Sequence, residues 1–416
     1  MISLKWFREN FDELVSRYSG RHLEEGVLER IRELDIQTVQ LNKELDSLRA
    51  EKNKLSENYD PSKSSSISEI KFKIVELEKD LLQKKGELHL LLSGLPAIPN
   101  EEIEQEDKLV KTWGEIPEGD FYKSYLELSS SLGLLDLELS AKITGTGYSV
   151  YVDRGEKLMR ALISFTLDWA EKHGFKRYFL PSVVNKDSLF CTSQINKFEE
   201  NLFQLNGDSK KFLSPTAEVQ LTNLFKDMIL TESDLPIKVC ANTNCFRNEK
   251  IGAGVESRGI MRMFQFNKTE IVMISHPEKS EEAQDFMSKV IESLLEELNL
   301  PYRKIMLSRS EMSFASSKTY DFEVWIPSEK KYREISSLSN TRDFQSMRGK
   351  IRCKTNRLDP KEKSRYVHVL NGSCLAIDRL FIAVVENHQT AEGEIILPES
   401  LSKFLGFKKI SKEGKN

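Results

Sequence analysis

Charged and aromatic side chains in residues 245–270 have the types and the spacing that a nucleotide site requires. Arg247 and Glu249 are separated by one residue, so they lie on one face of an extended strand, and Phe266 and Glu270, four residues apart, also share a face. A guanidinium can bind a phosphate through two hydrogen bonds, and a carboxylate can accept from an amino group. The stretch therefore predicts two strands, joined by a loop, that bind a nucleotide. The alternative is a half-buried hairpin with solvent-facing ion pairs, which are common and weak.

The order of these residues resembles the second signature motif of class II aminoacyl-tRNA synthetases. That motif has Phe-Arg-x-Glu, a loop, and an arginine followed at fixed spacing by phenylalanine and glutamate, as at Arg262, Phe266 and Glu270. Pro181, after an apolar run, resembles the proline of the first motif, and residues 372–379 resemble the third. Within the class, four strings are similar to those of bacterial-type seryl-tRNA synthetases: residues 215–218, 318–325, 333–337 and 370–373.

This resemblance covers essentially the whole chain and implies both a fold and an activity. The implied fold is α+β, with the class II antiparallel sheet, flanking helices and an N-terminal antiparallel coiled-coil arm. The implied activity is the ATP- and Mg²⁺-dependent activation of L-serine to seryl-adenylate and transfer of the seryl group to tRNA(Ser). The family resemblance also allows tRNA(Sec) as an acceptor, implies a homodimer formed through the first motif, and implies that the arm contacts the long variable arm of the tRNA.

The match to the family also assigns roles in ATP binding. It makes Arg247 and Arg379 the catalytic residues, with Arg247 bridging the serine carboxylate and the α-phosphate, and Arg379 holding the γ-phosphate end. Phe266 would stack on adenine and Glu249 would accept from its amino group, whereas Glu334 and Ser337 would be the Mg²⁺ ligands. The implied ATP-binding residues are Arg247, Asn248, Glu249, Phe266, Glu334, Ile335, Ser336, Ser337 and Arg379.

A second group of residues is assigned by the same match to L-serine. The implied serine-binding residues are Thr216, Ala217, Glu218, Arg247, Glu270, Asn371 and Ser373. Thr216 and Glu218 would lie near the ammonium group, and Ser373 at the hydroxyl end. Without the resemblance, Glu218 is equally consistent with an acid in the first turn of a helix that begins after Pro215.

Composition limits the protein class. The 416 residues suggest two or three domains, and the net charge of −4 requires any nucleic-acid contact to use local basic patches. No signal-peptide region or bilayer-spanning run is present, which predicts a cytoplasmic protein without membrane contact. The five cysteines form no Cys-x-x-Cys pair, and none has a histidine at ligand spacing. We therefore expect reduced core thiols and no zinc.

Heptad spacing in the first hundred residues predicts a helical hairpin over about 27–95. A polar turn at 58–66 separates two seams, and Lys84 is the one polar residue at a core position of the second seam. The seam positions are Ile31, Leu34, Leu41, Leu45, Leu48 and Leu55, then Ile67, Ile70, Ile74, Leu77, Leu81, Leu88, Leu91 and Leu95. Dimerisation is the usual alternative role of such a hairpin. Lys43, Arg49, Lys52, Lys54, Lys63 and Lys71 supply positive charge for RNA phosphates.

Two prolines at residues 96 and 99 end the second helix and mark a domain boundary. We expect a tRNA-binding domain over 1–103 and a catalytic domain over 104–416. Beyond the boundary, short apolar runs at 148–152, 178–184, 237–240, 263–273, 322–326 and 367–370 lack regular helical crossovers. This pattern favours an antiparallel α+β domain over a doubly wound sheet.

Several positions depart from the family pattern. Gln220 replaces a proline, Phe264 a histidine and Cys374 a glycine, and residues 310–316 lack the usual glycines. The loop between the two motif strands also loses a basic residue. No charged ligand is lost, so an active ligase is the preferred interpretation. The alternatives are a divergent paralogue with an altered or lost tRNA acceptor, and a catalytically silent RNA-binding or scaffold protein.

Overall fold

The computed structural model describes residues 2–57, 64–195, 199–207, 210–248 and 259–412. Three predicted features lie wholly or partly outside these ranges: the polar turn at 58–66, the loop between the motif strands, and Glu249 at the end of the first motif strand. The chain divides into two compact units, Met1–Ile98 and Pro99–Asn416.

The described residues of the first unit form four helices, two short and two long. They are α1 (Leu4–Glu9), α2 (Phe11–Tyr18), α3 (Val27–Glu57) and α4 (Ser64–Gly94). The long helices have 31 residues each and run antiparallel, because Arg30 pairs with Glu87 near one end and Lys73 with Glu44 towards the other. The predicted coiled-coil hairpin is confirmed.

The start of α4 corrects one detail. Residues 64–66, predicted to belong to the polar turn, are helical. Serine suits the start of a helix because its hydroxyl can bond to nearby backbone groups. The hydroxyl of Ser68, for example, donates to the carbonyl of Ser64 at 3.0 Å.

The seam of the hairpin contains the predicted residues. Leu45, Ile74 and Leu81 are buried at its centre, and Leu41, Leu48, Ile70 and Leu77 pack around them. The ammonium group of Lys84 is satisfied across the hairpin, because its Nζ donates to Oε1 of Gln37 at 3.0 Å. A second cluster, which contains Phe7, Leu14, Ile31, Leu34, Leu88 and Leu92, joins α1 and α2 to the root of the hairpin.

The second unit contains nine further helices among its described residues. They are α5 (Tyr125–Leu132), α6 (Leu137–Thr144), α7 (Arg154–Lys172), α8 (Lys186–Cys191), α9 (Ala217–Asn223), α10 (Ser280–Glu297), α11 (Phe344–Gly349), α12 (Ile377–Asn387) and α13 (Glu399–Leu405). Short 3₁₀ turns occupy Glu199–Asn201, Glu232–Asp234 and Pro277–Lys279.

The strands of this unit form one large sheet and three small ones. They are β1 (Lys108–Trp113), β2 (Lys176–Arg177), β3 (Val183–Asn185), β4 (Lys211–Leu213), β5 (Ile229–Thr231), β6 (Ile237–Phe246), β7 (Gln265–Ser275), β8 (Tyr302–Met306), β9 (Lys318–Ile326), β10 (Lys331–Asn340), β11 (Arg352–Lys354), β12 (Arg365–Tyr366), β13 (His368–Ala376), β14 (Ile395–Ile396) and β15 (Lys409–Ile410). The large sheet has the order β1-β8-β9-β10-β13-β7-β6-β2. Every pairing in it is antiparallel except β2 with β6, so the predicted α+β class is confirmed.

Two of the six apolar runs do not form strands along their length. In residues 148–152, Tyr151 forms only an isolated bridge to Leu135. The bridge consists of two hydrogen bonds, from the Val152 N–H to the Leu134 carbonyl and from the Asp136 N–H to the Val150 carbonyl. Within residues 178–184, strand structure begins only at Val183, and Pro181 has no N–H to donate to a ladder.

The central strands of the large sheet are buried on both faces. Along β7, Ile271 and Met273 belong to the main core with α7, α10 and α12, whereas Val272 and Ile274 belong to a second core with α9, β5 and β11. This alternation also places Phe266, Lys268 and Glu270 together on one face. The strands that carry the predicted ligands are therefore held rigidly from both sides.

Candidate active site

A cavity of about 290 Å³ opens over β7, β10 and the junction of β13 with α12. Eight of the predicted residues line it. Seven belong to the predicted ATP-binding set: Arg247, Phe266, Glu334, Ile335, Ser336, Ser337 and Arg379. The eighth is Ser373, from the predicted serine-binding set. From Arg247 to Arg379, these residues span more than a hundred positions of the sequence. The pairing of β10 with β13 and of β13 with β7 brings them together.

Arg247 lies at the end of β6, where the two motif strands are still joined. Its backbone N–H donates to the carbonyl of Phe264 at 2.8 Å, and its guanidinium carbon lies 5.2 Å from the centre of the Phe266 ring. Its Nε also donates to the carbonyl of Pro215 at 3.4 Å. The guanidinium is therefore fixed beside an aromatic face at the edge of the cavity, where it can bind an anion.

Arg379, in the first turn of α12, lines another part of the cavity. One terminal nitrogen donates to the Glu334 carbonyl at 2.7 Å and to Oε2 of the same residue at 3.2 Å, while Nε donates to the carbonyl of Met261 at 3.3 Å. The side chain of Glu334 is 48% exposed, so this pair lies at the cavity surface. A polyanion could replace the carboxylate at this guanidinium without any change in the backbone.

Oxygen atoms beside Glu334 form a set that suits a hard divalent cation. Ser337 is paired with Asp321 across β9 and β10, and its side chain hydrogen-bonds to the Asp321 carboxylate. Burial and the nearby Glu334 carboxylate raise the pKa of Asp321 to about 7. No described residue donates to the buried Oδ1 of Asp321. Glu334, Asp321 and Ser337 therefore supply oxygen atoms of the type that Mg²⁺ prefers, although Glu334 is at present paired with Arg379.

The serine-binding candidates form a second cluster next to this cavity. Lys268 lines the cavity, and its Nζ lies 2.5 Å from Oε2 of Glu270, which also accepts from the Thr216 hydroxyl at 3.4 Å. Asn371 donates to Oε1 of Glu218 at 3.2 Å. The cluster thus contains two carboxylates of which one has a close lysine partner.

Glu218 is a carboxylate of this cluster whose ionisation is strongly affected by its surroundings. Burial, followed by the negative charge of Glu270, raises the pKa of Glu218 to about 7, and the charges of Lys268 and Arg247 partly oppose this rise. The residue sits in the first turn of α9, whose N-cap is the hydroxyl of Thr216 at 3.2 Å. The helix-start interpretation of Glu218 and its place in a polar pocket are therefore compatible.

Ser373 connects the two groups of residues. The Ser336 hydroxyl donates to the Ser373 carbonyl at 2.6 Å, which fixes the backbone between β10 and β13. Ser373 is 7% exposed and lines the cavity. It is paired with Glu270 across β13 and β7, so a residue that lines the cavity also lies beside the carboxylate cluster.

The structure does not bring every predicted residue into the site. Asn248 is exposed and bonds to the backbone of the 3₁₀ turn at Glu199–Asn201. Ala217 packs in the second core, so its side chain is not available to a ligand. Glu249 lies outside the described residues. The roles assigned to these three residues stay predictions.

Sequence reasoning also left four residues of the site without a role. Arg262 and Lys268 line the cavity, Asp321 lies beside the expected Mg²⁺ ligands, and Gln345 donates to Glu218. Arg262 and Lys268 belong to the matched motif, so their charge was a usable signal. Asp321 and Gln345 lie on other elements, and only the fold shows that they are near.

The positions that depart from the family pattern fit their surroundings. The Gln220 amide donates to the carbonyl of Pro181 at 2.8 Å and accepts from the Ser214 hydroxyl at 2.9 Å, so it ties α9 to the predicted first motif. The Phe264 ring packs at 5.7 Å from Tyr148. Cys374 is fully buried and contacts the carbonyl of Thr166. All five cysteines are buried free thiols.

Two kinds of feature are absent from the described residues. No helix among them is long and apolar enough to cross a membrane. No group of three or more histidine, cysteine, aspartate or glutamate side chains in the same residues is arranged to bind a metal.

Comparison with known proteins identifies the family. Residues 1–99 match the family model of the seryl-tRNA synthetase N-terminal domain, and residues 198–388 match that of the tRNA synthetase class II core domain of the G, H, P, S and T enzymes. The serine–tRNA ligase of Syntrophotalea carbinolica is 38% identical over 98% of both chains. The chain belongs to the serine–tRNA ligase family. The ligase of Geobacter sulfurreducens is similarly close, at 40% identity over 98% of this chain and 99% of its own.

Solved structures of the serine–tRNA ligase family agree with this assignment. The seryl-tRNA synthetase of Pyrococcus horikoshii complexed with ATP superposes with a TM-score of 0.93 at 29% identity, over 99% of this chain and all of its own. The class II core and the long helical hairpin are therefore both features shared with this family.

Proposed function

We propose that this chain is a serine–tRNA ligase, which activates L-serine with ATP to seryl-adenylate and transfers the seryl group to tRNA(Ser). The observation that carries the proposal is the full-length match to relatives with that name, which includes the arm. A paralogue that had lost its tRNA partner would not need the arm, and a silent scaffold would not need the charged cavity. We therefore prefer the ligase to both the divergent paralogue and the silent scaffold. Charging of tRNA(Sec) is a second acceptor activity to be tested.

The reaction requires the protein chiefly to position two anions and to stabilise charge. A carboxylate oxygen of serine attacks the α-phosphorus of ATP, and the bond to the bridging oxygen breaks, so that pyrophosphate leaves with the electron pair. A terminal ribose hydroxyl of the tRNA then attacks the seryl carbonyl carbon, gives up its proton, and AMP leaves. Neither step needs a histidine base.

Arg247 and Arg379 are the catalytic residues in this scheme, and Arg247 acts at the reacting atoms. It lines the cavity beside Phe266 and is close enough to Glu218 to oppose the rise of that pKa, so it lies between the nucleotide cavity and the carboxylate cluster. From there it can contact the serine carboxylate and the α-phosphate together. Its charge stabilises the negative charge that increases on the α-phosphate in the transition state.

The remaining nucleotide contacts are those that the family resemblance implies. Adenine would stack on Phe266, Glu249 would accept from its amino group, and Arg379 would hold the γ-phosphate end, releasing Glu334 from its present ion pair. Glu334 and Ser337 would hold Mg²⁺, which supplies positive charge to the phosphates. Asp321 lies behind them as a further acceptor.

Selection of serine needs groups that are left unpaired when the substrate hydroxyl is missing. Ser373 and Glu270 supply such groups, and Glu218 supplies the acceptor for the ammonium. Alanine would leave the hydroxyl partners unsatisfied in a buried pocket. Threonine would add a methyl group to the same closed space.

The proposal extends to a tRNA partner and a homodimer. Lys43, Lys54 and Lys71 are exposed on the hairpin and can contact RNA phosphates, whereas Arg49 is paired with Glu78 at 2.6 Å. Phe179, next to the predicted first motif, is 101% exposed, and a second copy of the chain would cover it. The reaction belongs with translation in the cytoplasm.

The decisive experiment measures pyrophosphate exchange into ATP with serine, alanine, threonine, glycine and cysteine, followed by transfer to total tRNA. We expect serine-specific exchange and transfer. Arg247→Ala should reduce exchange by at least a hundredfold, because transition-state charge stabilisation of this kind is worth about that much.

Arg357→Ala is the matched control, because Arg357 is exposed on a loop that does not line the cavity. Its exchange rate should equal that of the unsubstituted chain. An unchanged rate of pyrophosphate exchange in Arg247→Ala would contradict the assignment of Arg247 to the active site. Exchange without transfer to tRNA would instead favour the divergent paralogue.

A further inference from the structure

We infer that Gln345 is a positioning residue that orients Glu218, so that one oxygen of this carboxylate is presented to the ammonium group of the amino-acid substrate. The inference rests on the proposed function, because it concerns the same serine pocket. It assigns a role to a residue of α11, an element that holds none of the candidate ligands.

The geometry places both amide donors on a single carboxylate oxygen. Nε2 of Gln345 donates to Oε1 of Glu218 at 2.6 Å, and Nδ2 of Asn371 donates to the same oxygen at 3.2 Å. No described residue donates to the second oxygen, Oε2. One oxygen is therefore saturated by two neutral donors from different elements, and the other can accept from a ligand.

Neutral donors matter because of the charges nearby. Lys268 is already paired with Glu270 at 2.5 Å, and no described lysine or arginine forms an ion pair with Glu218, although Lys268 and Arg247 are near enough to oppose the rise of its pKa. A lysine or arginine in the position of Gln345 would fix the carboxylate and also neutralise it. An amide fixes its orientation while leaving the negative charge for the ammonium group.

The backbone that carries Gln345 is fixed by its neighbours on α11. The Ser346 hydroxyl donates to the carbonyl of Val367 at 2.6 Å. The Arg348 guanidinium is buried, lies 4.5 Å from the ring centre of Phe344 and 4.8 Å from that of Phe190, and donates to the Phe190 carbonyl. A donor on such a rigid support can determine the orientation of a flexible glutamate side chain.

The partner of Gln345 distinguishes it from another buried glutamine. Its side chain is fully buried, its Nε2 donates to Glu218, and no described residue donates to its Oε1. Gln284 is also buried with an Oε1 that no described residue donates to, but its Nε2 donates to the backbone carbonyl of Lys318. The one hydrogen bond of the Gln345 side chain is therefore made to a carboxylate of the serine pocket.

The test replaces Gln345 with methionine, which has a similar length and no donor. The serine KM in pyrophosphate exchange should rise about tenfold, because a hydrogen bond to a charged group is lost. The KM for ATP should stay within about twofold, since this bond does not reach the nucleotide cavity. Gln284→Met is the control: Gln284 is also buried, but it donates to the backbone carbonyl of Lys318. It should leave both KM values unchanged.

A pH profile separates positioning from simple structural damage. Glu218 faces Glu270 and Lys268 on β7, Arg247 after β6 and Cys191 at the end of α8. Loss of the Gln345 donor disfavours the carboxylate, so the pKa of Glu218 should rise further above its usual value. The acidic limb of kcat/KM for serine should therefore move to higher pH in Gln345→Met.

A second variant keeps the inference testable if Gln345→Met does not fold. Gln345→Glu preserves the shape of the side chain but adds a negative charge where the amide donated. Relative to that of the unsubstituted chain, its serine KM should rise with pH, because the new carboxyl can donate to Glu218 only while it keeps its proton. Glycerate, which has a hydroxyl in place of the ammonium group, should inhibit both variants with an unchanged inhibition constant.

The outcomes distinguish the inference from the proposed function. If the unsubstituted chain shows no serine-dependent exchange, both are overturned. If it does, an unchanged serine KM in Gln345→Met would overturn the inference alone, as would equal increases of the serine and ATP KM values. A selective rise for serine with a shifted acidic limb would establish the positioning role.

Discussion

Asp378 is a single buried side chain that ties three parts of the active site together. It accepts from the Tyr151 hydroxyl at 2.6 Å through Oδ1 and from the Asn267 backbone N–H at 2.7 Å through Oδ2. It precedes Arg379 in the sequence, its partner Asn267 follows Phe266 on β7, and all three of Phe266, Asp378 and Arg379 line the cavity. The aspartate therefore fixes the spacing between an arginine and an aromatic ring that are expected to hold opposite ends of one ligand.

Burial raises the pKa of Asp378 to about 6, which makes it a source of pH-dependent stability. The native protein keeps a proton that the unfolded chain releases near pH 4, so this contribution is present below pH 4 and is lost as pH rises through 6. Asp378→Asn removes this titration. The stability of the variant relative to the unsubstituted chain should therefore increase between pH 4 and 7 by on the order of 3 kcal/mol.

The measurement is urea unfolding of the two proteins at several pH values. The prediction concerns how the stability difference between the two proteins changes with pH. The absolute difference also includes a loss at every pH, because Asp378→Asn weakens one of the two hydrogen bonds. Stability curves that stay parallel from pH 4 to 7 would show that Asp378 does not titrate in this range.

At the scale of elements, the helical hairpin gains its stability from one narrow seam. Leu45, Ile74 and Leu81 are buried there, whereas Phe72 and Leu82 on α4 are 67% and 74% exposed. A two-helix arm has no other interior, so each seam residue contributes a large share of the apolar burial.

Substitution of the seam should therefore have a large local effect. Leu45→Ala should destabilise the arm by about 2–4 kcal/mol, because a leucine that is 2% exposed leaves a cavity when truncated. Leu82→Ala is the matched control, since it makes the same change in helix propensity at an exposed position. Its effect should stay within about 0.5 kcal/mol.

Amide hydrogen exchange in α3 and α4 measures this difference. Protection should fall in Leu45→Ala and persist in Leu82→Ala, while serine-dependent pyrophosphate exchange should be the same in both. A similar loss of protection in the two variants would mean that the outer face of α4 is also buried in solution.

At the scale of the whole molecule, the chain divides into two units, each with its own core. Each long helix has 31 residues and extends about 46 Å, far more than its root cluster needs. A long hairpin without a core of its own beyond the seam is suited to contact with an extended partner such as tRNA.

Shortening the arm should separate the two reaction steps. Replacement of residues 41–81 by a short turn keeps Leu34 and Leu88 of the root cluster, so the base of the arm should still fold. Serine activation should be nearly unchanged, whereas transfer to tRNA should fall by at least tenfold through loss of phosphate contacts. An equal loss of both steps would instead make the arm a folding element.

The amino-acid sequence by itself determined the local features of this protein. Heptad spacing indicated the hairpin and its seam, and two-residue alternation placed Phe266 and Glu270 on one face, because periodicity follows directly from helix and strand geometry. The absence of regular crossovers indicated an antiparallel α+β domain. The roles of individual ligands came from the resemblance to a family, since short polar strings such as residues 334–337 have many meanings.

Only the tertiary structure decided which distant residues meet. Asp321 reaches Ser337 through the pairing of β9 with β10, and Gln345 reaches Glu218 across residues that lie far apart in sequence. The raised pKa values of Glu218 and Asp378 likewise depend on burial and on neighbours supplied by other elements. Sheet register and burial arise from the whole fold, so no local pattern of residue types could have specified them.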